Sequence, residues 1–183
     1  MSTSASRGTT AIPDRVRPLH RQDDMGRDRR LYRFALDRLP HNLQPRYNVC
    51  PTDPIDVETE RDGKRDFVRM RWGLVPWRWS KPLKELRAST INARAETVET
   101  KPFFRDAFKR SRCLIPASGY YEWKAEAGGK QPYYFTRADG DPLTFAGLWD
   151  EWKDHSTGEK LRSCTMIVAE PNAVAAEIYD RMR

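Results

Sequence analysis

The chain has 183 residues and a formal charge of +7, from 33 Lys and Arg against 26 Asp and Glu. That length fits one domain with a sizeable core. No apolar run approaches the ~18–20 residues of a membrane span, and the N-terminus has no signal-type apolar core, so a membrane protein is excluded and the cytoplasm is the expected location. Cys50, Cys113 and Cys164 form no CxxC pair and have no metal-ligand spacing with His20, His41 or His155, so neither a disulfide framework nor a metal site is expected.

In chain order, residues 1–28 read as a mobile basic arm, with Arg7, Arg15, Arg17, Arg21 and Arg27 among few apolar residues. The folded domain is expected over 29–183. Leu31, Phe34, Ala35 and Leu39 predict a helix stopped by Pro40. Ile55–Thr59 and Phe67–Trp72 read as a hairpin around Asp62-Gly63. If residues 91–97 are extended, Asn92 and Arg94 point to one side; Pro102–Arg110 reads as a short helix with Phe104, Ala107 and Phe108 on one face. Strands are expected at Cys113–Ile115, Tyr120–Lys124, Tyr133–Thr136, Leu143–Trp149 and Cys164–Ala169, with turns at Gly128-Gly129 and Asp139-Gly140. Ala173–Tyr179 reads as a helix started by Asn172. The expected fold is therefore α+β: a single domain of mostly antiparallel β-sheet curled toward a barrel, with a few short helices. No glycine-rich phosphate loop appears, so no nucleotide cofactor is indicated.

Several side chains suggest chemistry. In Tyr120-Tyr121-Glu122-Trp123, strand alternation puts Glu122 with Tyr120 and turns Trp123 to the other face. A carboxylate among aromatics is desolvated, which moves it toward the range useful for acid–base work. Asn92 and Arg94 share one side of an extended segment, an amide and a guanidinium fit to hold a phosphate or oxyanion. Trp72, Trp77, Trp79 and Trp123 are platforms for unpaired bases, and 72–84 interleaves them with Arg78, Lys81 and Lys84. Each feature also has an ordinary structural explanation: a surface Glu, an Asn closing a turn beside an Arg paired with Glu96 or Glu99, a Trp-rich core to which Trp72 belongs.

Taken in order, several motifs resemble the SRAP family, the SOS-response-associated peptidases or abasic-site processing proteins. They are Arg46–Thr52, Arg71-Trp72-Gly73-Leu74-Val75-Pro76, Ile91–Thr97, Arg112-Cys113-Leu114-Ile115-Pro116, Gly119–Lys124, Gln131-Pro132-Tyr133, Phe145–Trp149 and Asp180-Arg181-Met182. The resemblance implies the SRAP fold and recognition of abasic sites in single-stranded DNA by a monomer acting in the bacterial nucleoid. Family chemistry is a cross-link in which an N-terminal Cys condenses, through its amine and thiol, with the ring-opened sugar. The resemblance implies that Glu122 is the acid–base carboxylate, that Asn92 holds the sugar–phosphate, and that Arg94, Arg181 and Arg27 contact DNA. It implies that Pro51, Trp79 and Trp123 line the DNA channel.

The chain departs from the pattern at several positions. Met25-Gly26-Arg27 reads like the family's Met-Cys-Gly-Arg start without its Cys, and Tyr179 stands where the family has His. A strand position that is usually Thr is Ala169, and the chain stops at Arg183 where the family continues into another strand. A phenol does not exchange protons near neutrality as an imidazole does, so the expectation is a C-terminally truncated domain with impaired covalent chemistry. Cys50 stands at a usually Ala position beside Pro51, where it is a substitute thiol or a small packed side chain. Three functions are weighed: abasic-site processing by an enzyme of hydrolase or lyase class, single-stranded DNA binding without catalysis, and a peptidase with self-processing activity.

Overall fold

A computed structural model describes residues 48–178. The basic arm, the helix expected at about 29–39, and Arg27, Tyr179 and Arg181 lie outside the described residues. Eight strands dominate: β1 (Pro54–Arg61), β2 (Lys64–Trp72), β3 (Asn92–Arg94), β4 (Arg112–Ala117), β5 (Tyr120–Glu126), β6 (Gly129–Phe135), β7 (Leu143–Lys153) and β8 (Lys160–Val168). Two short helices, α1 (Arg105–Arg110) and α2 (Ala173–Ala176), and a 3-10 turn at Leu83–Glu85 complete the described elements.

The main sheet runs β2-β1-β4-β7-β8, and β2 also pairs with β8, closing a five-stranded barrel. Most ladders are antiparallel. The closing one is parallel, matching Arg71 to Ser163 and Trp72 to Cys164. Farther along the same edge of β8, β3 pairs in parallel, Asn92 with Met166 and Arg94 with Val168. β5 and β6 form a separate hairpin.

Local chemistry explains the elements. β1 and β2 meet through the two-residue turn Asp62-Gly63, both with positive φ (53° and 69°), as a tight hairpin of right-handed twist requires. Between β5 and β6 the reversal falls at Ala127-Gly128, one residue earlier than the glycine pair suggests, and Gly129 opens β6 with φ 134°. Asn172 caps α2, its Oδ1 accepting from the Ala175 amide at 2.9 Å. Residues 91–97 are extended only at Asn92–Arg94. Beyond Arg94, Ala95 donates to the Val168 carbonyl and Thr97 to the Arg94 carbonyl, which turns the chain. α1 begins at Arg105, later than expected, after turns that end with Phe104 donating to the Lys101 carbonyl.

Two apolar layers result. Inside the barrel are Val57, Met70, Trp72, Cys113, Ile115, Phe145, Cys164 and Met166. Outside it the chain between β2 and β4 folds back over β7 and β8, burying Leu74, Ala93, Val98, Phe104, Ala107 and Leu148. Ser163 Oγ accepts from the Val75 amide at 2.8 Å and fastens that layer.

Gly147 on β7 is packed tightly against the inner core. A Cβ there would stand 2.9 Å from Cys113 Sγ and Ile115 Cδ1 and 3.0 Å from the Thr165 carbonyl oxygen. The carbonyl belongs to a paired strand and has little freedom to retreat. Gly147→Ala is therefore expected to destabilise the domain by about 1–3 kcal/mol, measured by urea unfolding, with Cys113→Ala in the same chain recovering only part of the loss.

Candidate nucleic-acid interface

Strand directions gather the chemistry at one end of the barrel. β1 starts there, β2, β4 and β8 end there, and β7 starts there, as the pairs Pro54–Arg71, Ala117–Leu143 and Gly147–Met166 require. β3 ends there too, with Arg94 beside Val168. The turn before β1, the end of β3 and the root of the β5–β6 hairpin therefore surround one mouth.

Trp72 ties the first two together. Its amide donates to the Asp53 carbonyl (2.9 Å), and its carbonyl accepts from the Thr52 amide (2.8 Å). Its indole Nε1 donates to the Ile91 carbonyl (2.9 Å), and Ile91 directly precedes β3. The same carbonyl accepts from the Met166 amide (3.1 Å). The turn Cys50-Pro51-Thr52-Asp53 is closed by Asp53, whose amide donates to the Cys50 carbonyl and whose Oδ2 accepts from the Cys50 amide, both at 3.1 Å. Pro51 and Cys50 are exposed on it.

On β3, Ala93 is buried in the outer layer. Asn92 and Arg94 thus take the face of Met166 and Val168, toward the barrel interior and its mouth. Arg94 is exposed and forms no ion pair with another described residue; pairing with Glu96 or Glu99 is not seen. Asn92 Oδ1 is buried and accepts no hydrogen bond among the described residues.

The hairpin obeys the expected alternation. Tyr120 stacks on Phe135 (5.0 Å between centroids) and meets the edge of Phe145 (5.6 Å), so its face turns to the barrel core. Glu122 shares that face and is 4% exposed. Trp123 points away, 51% exposed, beside Tyr121, which leans on Tyr134.

Trp79 is in a different neighbourhood. It is half-buried on the outer wall, its ring 6.1 Å from Phe103 and its carbonyl accepting from the Trp152 indole at 2.6 Å. Trp72 belongs to the core as expected, whereas Trp77 is the exposed member of the 72–84 cluster. One feature escaped the sequence reading: Arg71, half-buried beneath the mouth, donates from Nη1 to the Gly73 carbonyl at 2.6 Å. Its burial draws its pKa below the usual guanidinium range. Alternation along β2 carried a faint signal for it, an Arg directly before a core Trp.

The chain matches the sequence model of the family described as SOS response associated peptidase (SRAP) over residues 15–183. It belongs to the SRAP family. Among relatives, the abasic site processing protein YoaM of Bacillus subtilis (strain 168) is 39% identical over 140 residues, 76% of this chain and 60% of that protein. The abasic site processing protein YedK of Escherichia coli (strain K12) is 31% identical over 145 residues, 78% of this chain and 62% of that protein. This SRAP chain thus spans about three fifths of the length of these relatives. A crystal structure of a protein from Bordetella bronchiseptica superposes with a TM-score of 0.67 at 31% identity, covering 87% of this chain and 78% of that one. One from Bacteroides thetaiotaomicron gives 0.66 at 32% identity, over 72% and 57%.

No described helix is long and apolar enough to cross a membrane, and no described group of His, Cys, Asp and Glu is arranged to hold a metal ion.

The three thiols differ sharply. Cys50 is exposed, while Cys113 and Cys164 are buried. Burial pushes the Cys164 thiol up to about 12, against the pull of Arg71, and raises Cys113 further, with Cys164 adding to the effect. Thiolate is the reactive form. Native protein at pH 8 is expected to take up iodoacetamide at Cys50 alone, and denatured protein at all three, as read by peptide mass spectrometry.

Proposed function

We propose that this chain is an abasic-site processing protein that recognises abasic sites in single-stranded DNA. The reading is supported by a buried Glu122 on the hairpin rooted at the barrel mouth and by Asn92 and Arg94 on the strand that ends there, Arg94 without an ion pair among the described residues, in a chain of the SRAP family. A strand that must present one sugar needs its phosphates gripped beside the lesion. In this reading Arg94 takes a backbone phosphate, Asn92 the sugar–phosphate at the lesion, and Arg181 and Arg27 further phosphates. Pro51 wedges against the bent strand, and the exposed Trp123 offers a stacking face. Trp79 supports the channel from the outer wall. Glu122 is the proposed acid–base group: in the family's condensation of an amine with the sugar aldehyde, a carboxyl group protonates the carbinolamine hydroxyl, which leaves as water, a step expected to be impaired here because Met25-Gly26-Arg27 lacks the family's Cys. The site of action is the nucleoid.

Native gels with abasic and intact strands test the reading, with preference for the abasic strand expected. Equal binding of both at all salt concentrations would count against it. Arg94→Ala is expected to weaken binding and to make log K against log salt shallower by roughly one unit. An unchanged slope removes Arg94 from the phosphate contacts.

The exposure of Cys50 beside Pro51 favours a second chemistry at the same mouth. Its sulfur would add to the aldehyde carbon as the thiol proton passes to the aldehyde oxygen, giving a reversible hemithioacetal. This chemistry predicts a thiol-dependent gel shift with abasic strands that Cys50→Ala abolishes. A shift that persists in Cys50→Ala rules it out.

A further inference from the structure

The tryptophan-rich stretch 72–84 is only partly accounted for by the mouth. Trp72 is core and Trp79 is packed, but Trp77 is 51% exposed on the outer barrel wall. Its backbone is pinned by an amide bond to Asp150 Oδ2 (2.9 Å) on β7, and its indole Nε1 donates to Asp106 Oδ2 on α1 (3.3 Å). The Arg110 guanidinium lies 5.9 Å from the ring centroid. Asp106 also takes Arg78 at 3.1 Å and Arg105 at 3.8 Å. Arg112 stands over Phe108 at 5.1 Å, and Lys109 is exposed on the same short helix. Arg78, Arg105 and Arg110 thus adjoin the carboxylates Asp106 and Asp150 beside a rigidly held, exposed indole, and with Lys109 and Arg112 nearby in the chain this segment carries five cations against those two carboxylates.

We infer that this patch is a second contact for single-stranded nucleic acid, in which Trp77 stacks an unpaired base while Arg105 and Lys109 take flanking phosphates. Charge complementarity and the exposed ring together select the partner. A polyanion satisfies the excess charge, and an unpaired base supplies the flat face that an indole backed by a guanidinium accepts. An acidic protein surface would meet the charge but leave the ring in water. Position fits a continuation of the strand held at the mouth. Gly147 lies across β8 from Asn92, and Asp150 is three residues farther along β7, which sets the patch about 14 Å from Asn92 by strand geometry. The inference rests on the proposed function only in taking a single strand as the ligand.

The test compares a strand of about 7 nucleotides, centred on an abasic site, with one of about 30, using the full chain and fluorescence anisotropy. Wild type is expected to bind the long strand about tenfold or more tightly than the short one. Arg105→Glu with Lys109→Glu is expected to remove most of that gain and to lower the salt slope on the long strand by between about one and two. Trp77→Ala is expected to reduce long-strand affinity about tenfold. Short-strand binding should stay unchanged in both variants, which also reports that each is folded. Equal wild-type affinity for the two lengths overturns the inference. So does wild-type-like long-strand binding by either variant, or an equal loss on both lengths. A wild type that binds intact and abasic long strands alike, yet weakens on charge reversal, defeats the reading of the mouth and upholds the patch.

Discussion

The geometry of the mouth depends on Trp72 more than on any other described residue. Its backbone amide and carbonyl hold the Pro51 turn, its indole holds the carbonyl before β3, and its ring is packed in the inner core. The next residue, Gly73, donates to the Cys164 carbonyl at 2.8 Å and continues the barrel closure. Three segments distant in sequence thus meet on one side chain. The constraint is strong enough to hold Thr52 at φ 76°, a left-handed conformation that costs a β-branched residue roughly 1–3 kcal/mol. The Thr52 amide bond to Trp72 and the Asp53 bonds across the turn offset that strain. A turn held this way presents Pro51 at a set angle, which a wedge against a bent strand requires.

The barrel closure distributes chemistry and stability to different places. β8 lends one edge to two strands, β2 for Arg71 and Trp72 and β3 for Asn92 to Arg94. Where β2 leaves, β3 takes over, and the handover sits beside Trp72. Polar residues at the tip of β3 therefore face the mouth without interrupting the closure ladder. The load falls on the middle of the strands, where Ser163, Cys164 and Thr165 are wholly buried and both faces of β8 are covered. Substitutions at the mouth can consequently change ligand contacts while the two core layers stay intact.

Much of this was legible in the sequence. Asp62-Gly63 announces its hairpin, and the alternation at Tyr120–Trp123 correctly separates Glu122 from Trp123, because both are local patterns with a fixed period. The parallel ladders of β8 were not legible. Parallel pairing joins segments with no turn between them, and β3 is too short to show any period. The extended premise for 91–97 holds at Asn92–Arg94, and the turn after it depends on bonds from Ala95 to a distant strand end and from Thr97 to a local carbonyl, neither of which composition reveals. Trp72 was expected in the core and strand alternation turned Trp123 outward, but only tertiary packing separates Trp79, set against Phe103, from the exposed Trp77. The roles proposed for Asn92, Arg94 and Glu122 rest on family resemblance. Taken singly, their residue types favoured ordinary structural explanations.

The polar groups at the mouth carry a further consequence for the ligand. Asn92 Oδ1 is buried with no donor among the described residues, a state that costs roughly 1–3 kcal/mol when it stays unsatisfied. A phosphate diester cannot relieve it, since phosphate oxygens only accept. A hydroxyl can, and ring opening of an abasic sugar frees its C4′ hydroxyl, where an intact nucleotide has a closed ring and a base. Arg94 has the opposite character, donors only, and matches the phosphate that every nucleotide supplies. The two residues therefore divide the work on one strand face. In the proposed function Arg94 would favour any single strand and set the salt dependence, while Asn92 would favour the lesion and set the difference between abasic and intact DNA. Affinity and discrimination would then be separable on one three-residue strand, which Trp72 ties to the Pro51 turn.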